Sequence, residues 1–224
     1  MFLRDQTYQD KLYELLKFYD SELQDLIDMA TIECDGIRPI NVENEIYSVF
    51  HHICRSVLHK NDVAEACKEL ETAVSSHLVR VQFDAYKIVL NRTLLRAVAA
   101  IKDYDFLLLD DDFRIAFPKE AGLIQNLHLK YKSVKGAYIE AKKLERDGDR
   151  TKTVEKYNEA IKEVPAVRAI IDGFEADGAF RVALLSVKKK MEGEKKTRRY
   201  VVAGAIISSI SGLVGAVLGA WFSR

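Results

Sequence analysis

Residues 200–222, YVVAGAIISSISGLVGAVLGAWF, contain no charged side chain, and the rest of the chain is organised around that stretch. Twenty-three helical residues at about 1.5 Å each reach roughly 35 Å, enough to cross a hydrocarbon core of about 30 Å with some tilt. A single transmembrane helix is therefore expected at 200–222. Its flanks fit: Lys195, Lys196, Arg198 and Arg199 precede it, and Tyr200 and Trp221 sit where interfacial aromatics belong. The basic side predicts that the N-terminal domain stays in the cytoplasm.

Small residues give the same stretch a second meaning. Gly204, Ser208, Gly212, Ala216 and Ala220 recur every fourth position, and Ser211, Gly215 and Gly219 form a neighbouring ridge. Helices in lipid associate by close backbone approach, so small residues at this spacing predict self-association through the membrane. The second ridge resembles a glycine zipper, a pattern of oligomeric membrane assemblies and pores. With only Ser223 and Arg224 after the span, the layout resembles a tail-anchored single-pass membrane protein, which implies insertion after synthesis.

The charge supports a division into 1–187, 188–199 and 200–222. Lysine plus arginine and aspartate plus glutamate both number 34, giving a formal net charge of zero. Residues 188–199 hold seven basic and two acidic side chains and Arg224 adds one more, so residues 1–187 carry a net charge of minus six. Nucleic acid is disfavoured as a partner, because phosphate binding needs a basic face. The basic segment instead suits anionic lipid headgroups at roughly 1 kcal/mol per cation near the surface. Three cysteines, Cys34, Cys54 and Cys67, without paired spacing fit a reduced compartment.

Glycine numbers 11 and proline 3, and so few breakers favour long helices. An apolar stripe (Leu12, Leu15, Leu16, Tyr19, Leu23, Leu26, Ile27, Ala30) predicts a first helix over 8–30. Asn41 is placed as N-cap of a second helix to about Leu58, with Ile46, Val49, Phe50, Ile53 and Val57 inward. Asn61 or Asp62 then caps a run to about Lys102, with Leu95 and Val98 on its apolar stripe and a break expected, if anywhere, near Gln82. Residues 103–118 read as the least helical stretch and as a possible sub-boundary. From Lys119, helices are expected to about Asp147 and from Thr151 to about Glu163. Gly173 and Gly178 are expected to break the segment after Val167. The fold class is all-α, an elongated helical bundle or coiled-coil-like array with one C-terminal transmembrane helix.

Two clusters look chemical. Asp110, Asp111 and Asp112 close an apolar run, but the hundred residues before them read as helix, so a capped, solvated turn is expected. His51, His52, Cys54 and His59 lie close in sequence, yet His52 and Cys54 point to different helix faces and no fourth ligand is implied, so no metal site is assigned. Ala137, Ala141, the Gly148-Asp149 turn, Tyr157, Ala160 and Pro165 resemble one tetratricopeptide-like unit over 137–165. That resemblance implies an antiparallel helical hairpin closed at Pro165.

No nucleophile–base pair, phosphate loop or cofactor motif is present in the sequence, so neither an enzyme nor a cofactor is expected. The expected role is a membrane-tethered, self-associating interaction or scaffold protein that joins a lipid bilayer, its own copies and a further protein partner. The alternative is a membrane-disrupting, pore-forming effector whose zipper helix assembles on a signal sensed by the cytoplasmic domain.

Overall fold

Asp5 starts the first helix: its carboxylate accepts from the backbone N–H groups of Thr7 and Tyr8, satisfying two of the donors that a helix start leaves free. The computed structural model describes residues 4–58, 62–178 and 180–193. The stretch 200–222 and the basic residues Lys195, Lys196, Arg198 and Arg199 lie outside the described residues. Among those described, every regular element is helical, so the chain is all-α, and no helix is long and apolar enough to cross a membrane.

The helices in chain order are α1 (Gln6–Phe18), a π turn (Tyr19–Leu23), α2 (Gln24–Glu33), α3 (Ile40–Leu58), α4 (Val63–Thr72), a second π turn (Ala73–Leu78) and α5 (Val79–Tyr104). A 3-10 turn (Asp105–Leu109), α6 (Asp111–Ala116), α7 (Pro118–Asp147) and α8 (Arg150–Ala176) come next, and residues 180–193 form α9.

Several boundaries correct the sequence expectation, each for a local reason. Asn41 is not the cap of α3. Pro39 presets its own backbone for the entry and its carbonyl accepts from Glu43 N–H at 3.0 Å, so Asn41 falls inside the first turn. Asp62, by contrast, does cap α4, accepting from Glu65 N–H at 2.7 Å. The run from Val63 to Tyr104 is helical throughout, with no break near Gln82. Its irregularity is the π turn at Ala73–Leu78. One extra residue in a turn rotates the downstream helix by about 100°. Beyond it the buried face passes to Val81, Gln82, Ala85, Tyr86, Val89 and Leu90, while Leu95 and Val98 face outward.

Residues 103–118 are largely helical, built from the 3-10 turn and α6, whose N-cap Asp110 accepts from Phe113 N–H at 2.9 Å. Nor does Pro165 end α8, which continues to Ala176. An interior proline costs about 3 kcal/mol, but the exposed Pro165 is flanked by buried Val164, Val167, Ile170 and Ile171. Each of those is worth about 1.5–3 kcal/mol when buried, so continuing the helix wins. Gly173 likewise stays within α8, and the break comes at Asp177, which accepts from Phe180 N–H at 3.0 Å and starts α9.

The described residues divide into two compact units. Those of Met1–Ile101 and Asn126–Ile171 form the first, and those of Lys102–Gln125 and Asp172–Arg224 the second. The first unit has a core of Leu15, Leu23, Ile27, Leu70, Leu78 and Leu90 with Tyr8 and Tyr157, all at most 1 % exposed. Ser56 is fully buried: its hydroxyl donates to the Ile53 carbonyl at 2.7 Å and pairs with the Tyr8 hydroxyl at 2.8 Å, joining α1 to α3. Within this unit, α7 and α8 make an antiparallel hairpin. Lys130 meets Glu163 at 2.6 Å and Glu145 meets Tyr157 at 2.8 Å, while the turn between them uses Gly148 at φ +79°. The second unit is centred on rings: Tyr104, Phe174, Phe180 and Phe113 succeed one another with centroids 4.8 to 6.1 Å apart.

Candidate functional site

The residues singled out by sequence for membrane self-association, Gly204, Ser208, Ser211, Gly212, Gly215 and Gly219, and Trp221 at the interface, lie outside the described residues. The described part offers three other constellations, two in the first unit and one in the second.

The first is a four-membered polar chain in which α3 contributes Glu45 and His52. These are seven residues apart, two turns along one helix face. From α4 comes Glu69, and from the π turn His77. Glu45 Oε2 lies 2.6 Å from His77 Nδ1, His77 Nε2 lies 3.2 Å from His52 Nε2, and His52 Nδ1 lies 2.7 Å from Glu69 Oε2. Both outer carboxylates are gripped from behind, Glu69 by Arg55 at 3.3 Å and Glu45 by Arg80 at 3.6 Å. The four linked side chains are 12 to 22 % exposed. A carboxylate only accepts, so each Nδ1 carries hydrogen, and the two Nε2 atoms face one another across 3.2 Å, each an acceptor in a neutral ring and a donor in a protonated one. The sequence singles out His52 but not its partners Glu69 and His77, 17 and 25 positions away, nor the Glu45–His77 link that spans 32. The π turn that aims His77 leaves no periodic signal.

The second constellation is aromatic and lies in the same unit. Tyr157 is fully buried, stacks on Tyr86 with centroids 5.0 Å apart and 11° between planes, and donates its hydroxyl to Glu145 Oε2 at 2.8 Å. Glu145 Oε1 accepts from Lys87 Nζ at 2.6 Å, and Tyr86 donates to Asn158 Oδ1 at 2.6 Å. Burial, reinforced by the charge of Glu22, pushes the Tyr86 hydroxyl up to about 12. Burial and the bond to Glu145 push Tyr157 further in the same direction. These hydroxyls stay protonated as structural donors, which suits a fastening of α5, α7 and α8 rather than proton transfer.

In the second unit, Lys190 of α9 reaches Asp110 at 3.0 Å and Asp112 at 3.1 Å. A hollow of about 460 Å³ opens beside them, lined also by Phe106, Leu109 and Met191. The Phe113 N–H, then Lys190, hold the Asp110 carboxyl below its ordinary value, and Asp110, then Asp112, raise Lys190. The lysine fills the charge-neutralising position that a cation would need, so the acidic run works as a cap and an ion pair. Among the described residues, no group of three or more histidine, cysteine, aspartate or glutamate side chains is placed to hold a metal ion.

The first unit also leaves apolar side chains uncovered. Leu15, Ile46, Val49 and Leu78 enclose a hollow of about 140 Å³ at whose edge stand Leu16 of α1 and Phe50 of α3. Leu16 is 51 % and Phe50 60 % exposed, although the sequence stripe places both inward. Tyr13 and Tyr47, one turn before each on the same two helices, are exposed as well.

No protein family, curated protein or solved structure matches this chain.

Proposed function

We propose that the chain is a membrane-tethered helical interaction protein that associates with its own copies and presents its helical units to a protein partner on the cytoplasmic side. The observation that carries this reading is the charge-free run of 200–222 behind Lys195, Lys196, Arg198 and Arg199. The small-residue ridges through Gly212, Gly215 and Gly219 support self-association. Uncovered Leu16, Phe50, Tyr13 and Tyr47 support a contact role for the first unit, because large apolar side chains grouped at a surface favour partner binding.

The experiment is co-purification of two differently tagged copies from mild detergent. The unaltered chain should pull down its second copy, and Gly215→Leu with Gly219→Leu should abolish or strongly reduce that recovery. Equal recovery from both would remove self-association through this stretch.

The zipper spacing favours one other reading, a membrane-disrupting effector in which the same helices assemble into a pore. Depolarisation of cells expressing the full chain, absent from the double leucine variant, would select it. Unchanged potential in both, with self-association intact in the first, selects the tether.

A further inference from the structure

We propose that His52 and His77 are the protein ligands of a divalent transition-metal site, of the Zn²⁺ or Cu²⁺ class, at the junction of α3 with the π turn between α4 and α5. Their Nε2 atoms stand 3.2 Å apart. Two metal–nitrogen bonds of about 2.0–2.1 Å at a tetrahedral angle place the nitrogens about 3.3–3.4 Å apart. The histidine pair therefore already has the bite of two neighbouring ligands on one ion.

The groups behind the rings match what metal-bound imidazoles require. A ligating histidine needs its other nitrogen held by an acceptor, which fixes the tautomer and raises the basicity of the ligand atom. Here both rings have one: Glu69 on His52 Nδ1 at 2.7 Å and Glu45 on His77 Nδ1 at 2.6 Å. With hydrogen on both Nδ1 atoms, two neutral rings would bring their Nε2 lone pairs within 3.2 Å of each other, an arrangement that repels unless a proton or a cation lies between them. Arg55 and Arg80 hold the far oxygens of Glu69 and Glu45. Each carboxylate is thereby kept behind its ring as a positioning group.

Two imidazoles leave two positions of a tetrahedral ion to water or an incoming ligand, so the site is an exchangeable one rather than the four-ligand closed site of a structural zinc. Affinity should obey the usual order, with Cu²⁺ above Zn²⁺. The ion would pin α3 to the π turn, giving that irregular turn a function.

The test uses the full chain, purified in detergent micelles and stripped with a chelator, then titrated with Zn²⁺ against a chromophoric competitor. One Zn²⁺ should bind per chain. His52→Asn and His77→Asn should each weaken binding at least about tenfold, and Glu69→Gln or Glu45→Gln roughly 10- to 100-fold, with circular dichroism unchanged. Should the histidine variants lose their helix content, the Co²⁺ form of the unaltered chain decides, since a four-coordinate, nitrogen-ligated visible spectrum supports the site and the spectrum of hydrated Co²⁺ overturns it. Absence of saturable uptake, or uptake equal in folded His52→Asn and the unaltered chain, overturns it too. A histidine N–H resonance shared between the two Nε2 atoms in the presence of Zn²⁺ would show that a proton is the occupant and would overturn it as well.

Discussion

Replacing Tyr157 with phenylalanine removes a single oxygen from the middle of the first unit and leaves its ring stacked on Tyr86, 5.0 Å away. The loss is therefore confined to the hydrogen bond to Glu145 Oε2 at 2.8 Å. A bond to a charged acceptor is worth about 1.5–3 kcal/mol, and the abandoned oxygen adds a desolvation penalty only where water cannot reach it. The Glu145 side chain is 25 % exposed and still holds Lys87 at 2.6 Å, so water can partly replace the hydroxyl. The expected cost is near the lower end, about 1.5–2 kcal/mol. Urea unfolding of the full chain in mild detergent, monitored by far-ultraviolet circular dichroism, should show the midpoint falling with an unchanged slope. The same substitution on a Glu145→Gln background should cost about 1 kcal/mol less, because the charge that strengthens the bond is gone. A Tyr157→Phe midpoint indistinguishable from the parent, or an identical loss in both backgrounds, would refute the fastening role assigned to this pair.

Other outcomes rest on single residues. Thr93 is 2 % exposed and its hydroxyl has no hydrogen-bond partner among the described residues, so the near-isosteric Thr93→Val should stabilise by about 1 kcal/mol in the same urea assay. Gly148 holds φ +79°, and no neighbouring group among the described residues lies within 4 Å of where a β-carbon would stand. Gly148→Ala should therefore cost about 1–2 kcal/mol from backbone strain alone, and Gly148→Asn less, since asparagine tolerates that conformation. The alkaline limb of stability should be steep. Tyr86 titrates at about 12 in the folded chain against about 10 unfolded; its neutral form is the one favoured by folding, so its contribution is complete below about pH 10 and is lost as pH rises to about 12. Tyr157 shifts the same way. Tyrosinate absorbance should appear together with loss of helix, and Tyr86→Phe should flatten the limb.

Helical class was legible because breakers are scarce and apolar spacing is long-ranged. Boundaries were legible where one side chain makes them, as at Asp62 and Gly148. They were not where burial overrides propensity: Pro165 reads as a stop, yet Val164, Val167, Ile170 and Ile171 carry α8 past it. A single helical phase places Leu95 and Val98 inward, and the π turn ahead of them carries both outward, whereas Leu16 and Phe50 lie where no π turn precedes them in their own helices and stand on the apolar stripe at the open edge of the hollow. The π turns at Tyr19–Leu23 and Ala73–Leu78 add residues that no fixed period of 3.6 anticipates. The histidine pair was hidden for the same reason. His77 depends on the second π turn and meets His52 across 25 positions, whereas sequence proximity directs attention to His51, Cys54 and His59.

The proposed tether depends most heavily on residues 200–222 behaving as a membrane span, and extraction of membranes from expressing cells measures that directly. The full chain should stay in the membrane pellet through high salt and alkaline carbonate and be released only by detergent, while a chain ending at residue 193 should appear in the soluble fraction. Release of the full chain by salt or carbonate, or its recovery in the soluble fraction without detergent, would contradict the tether and with it the proposed function.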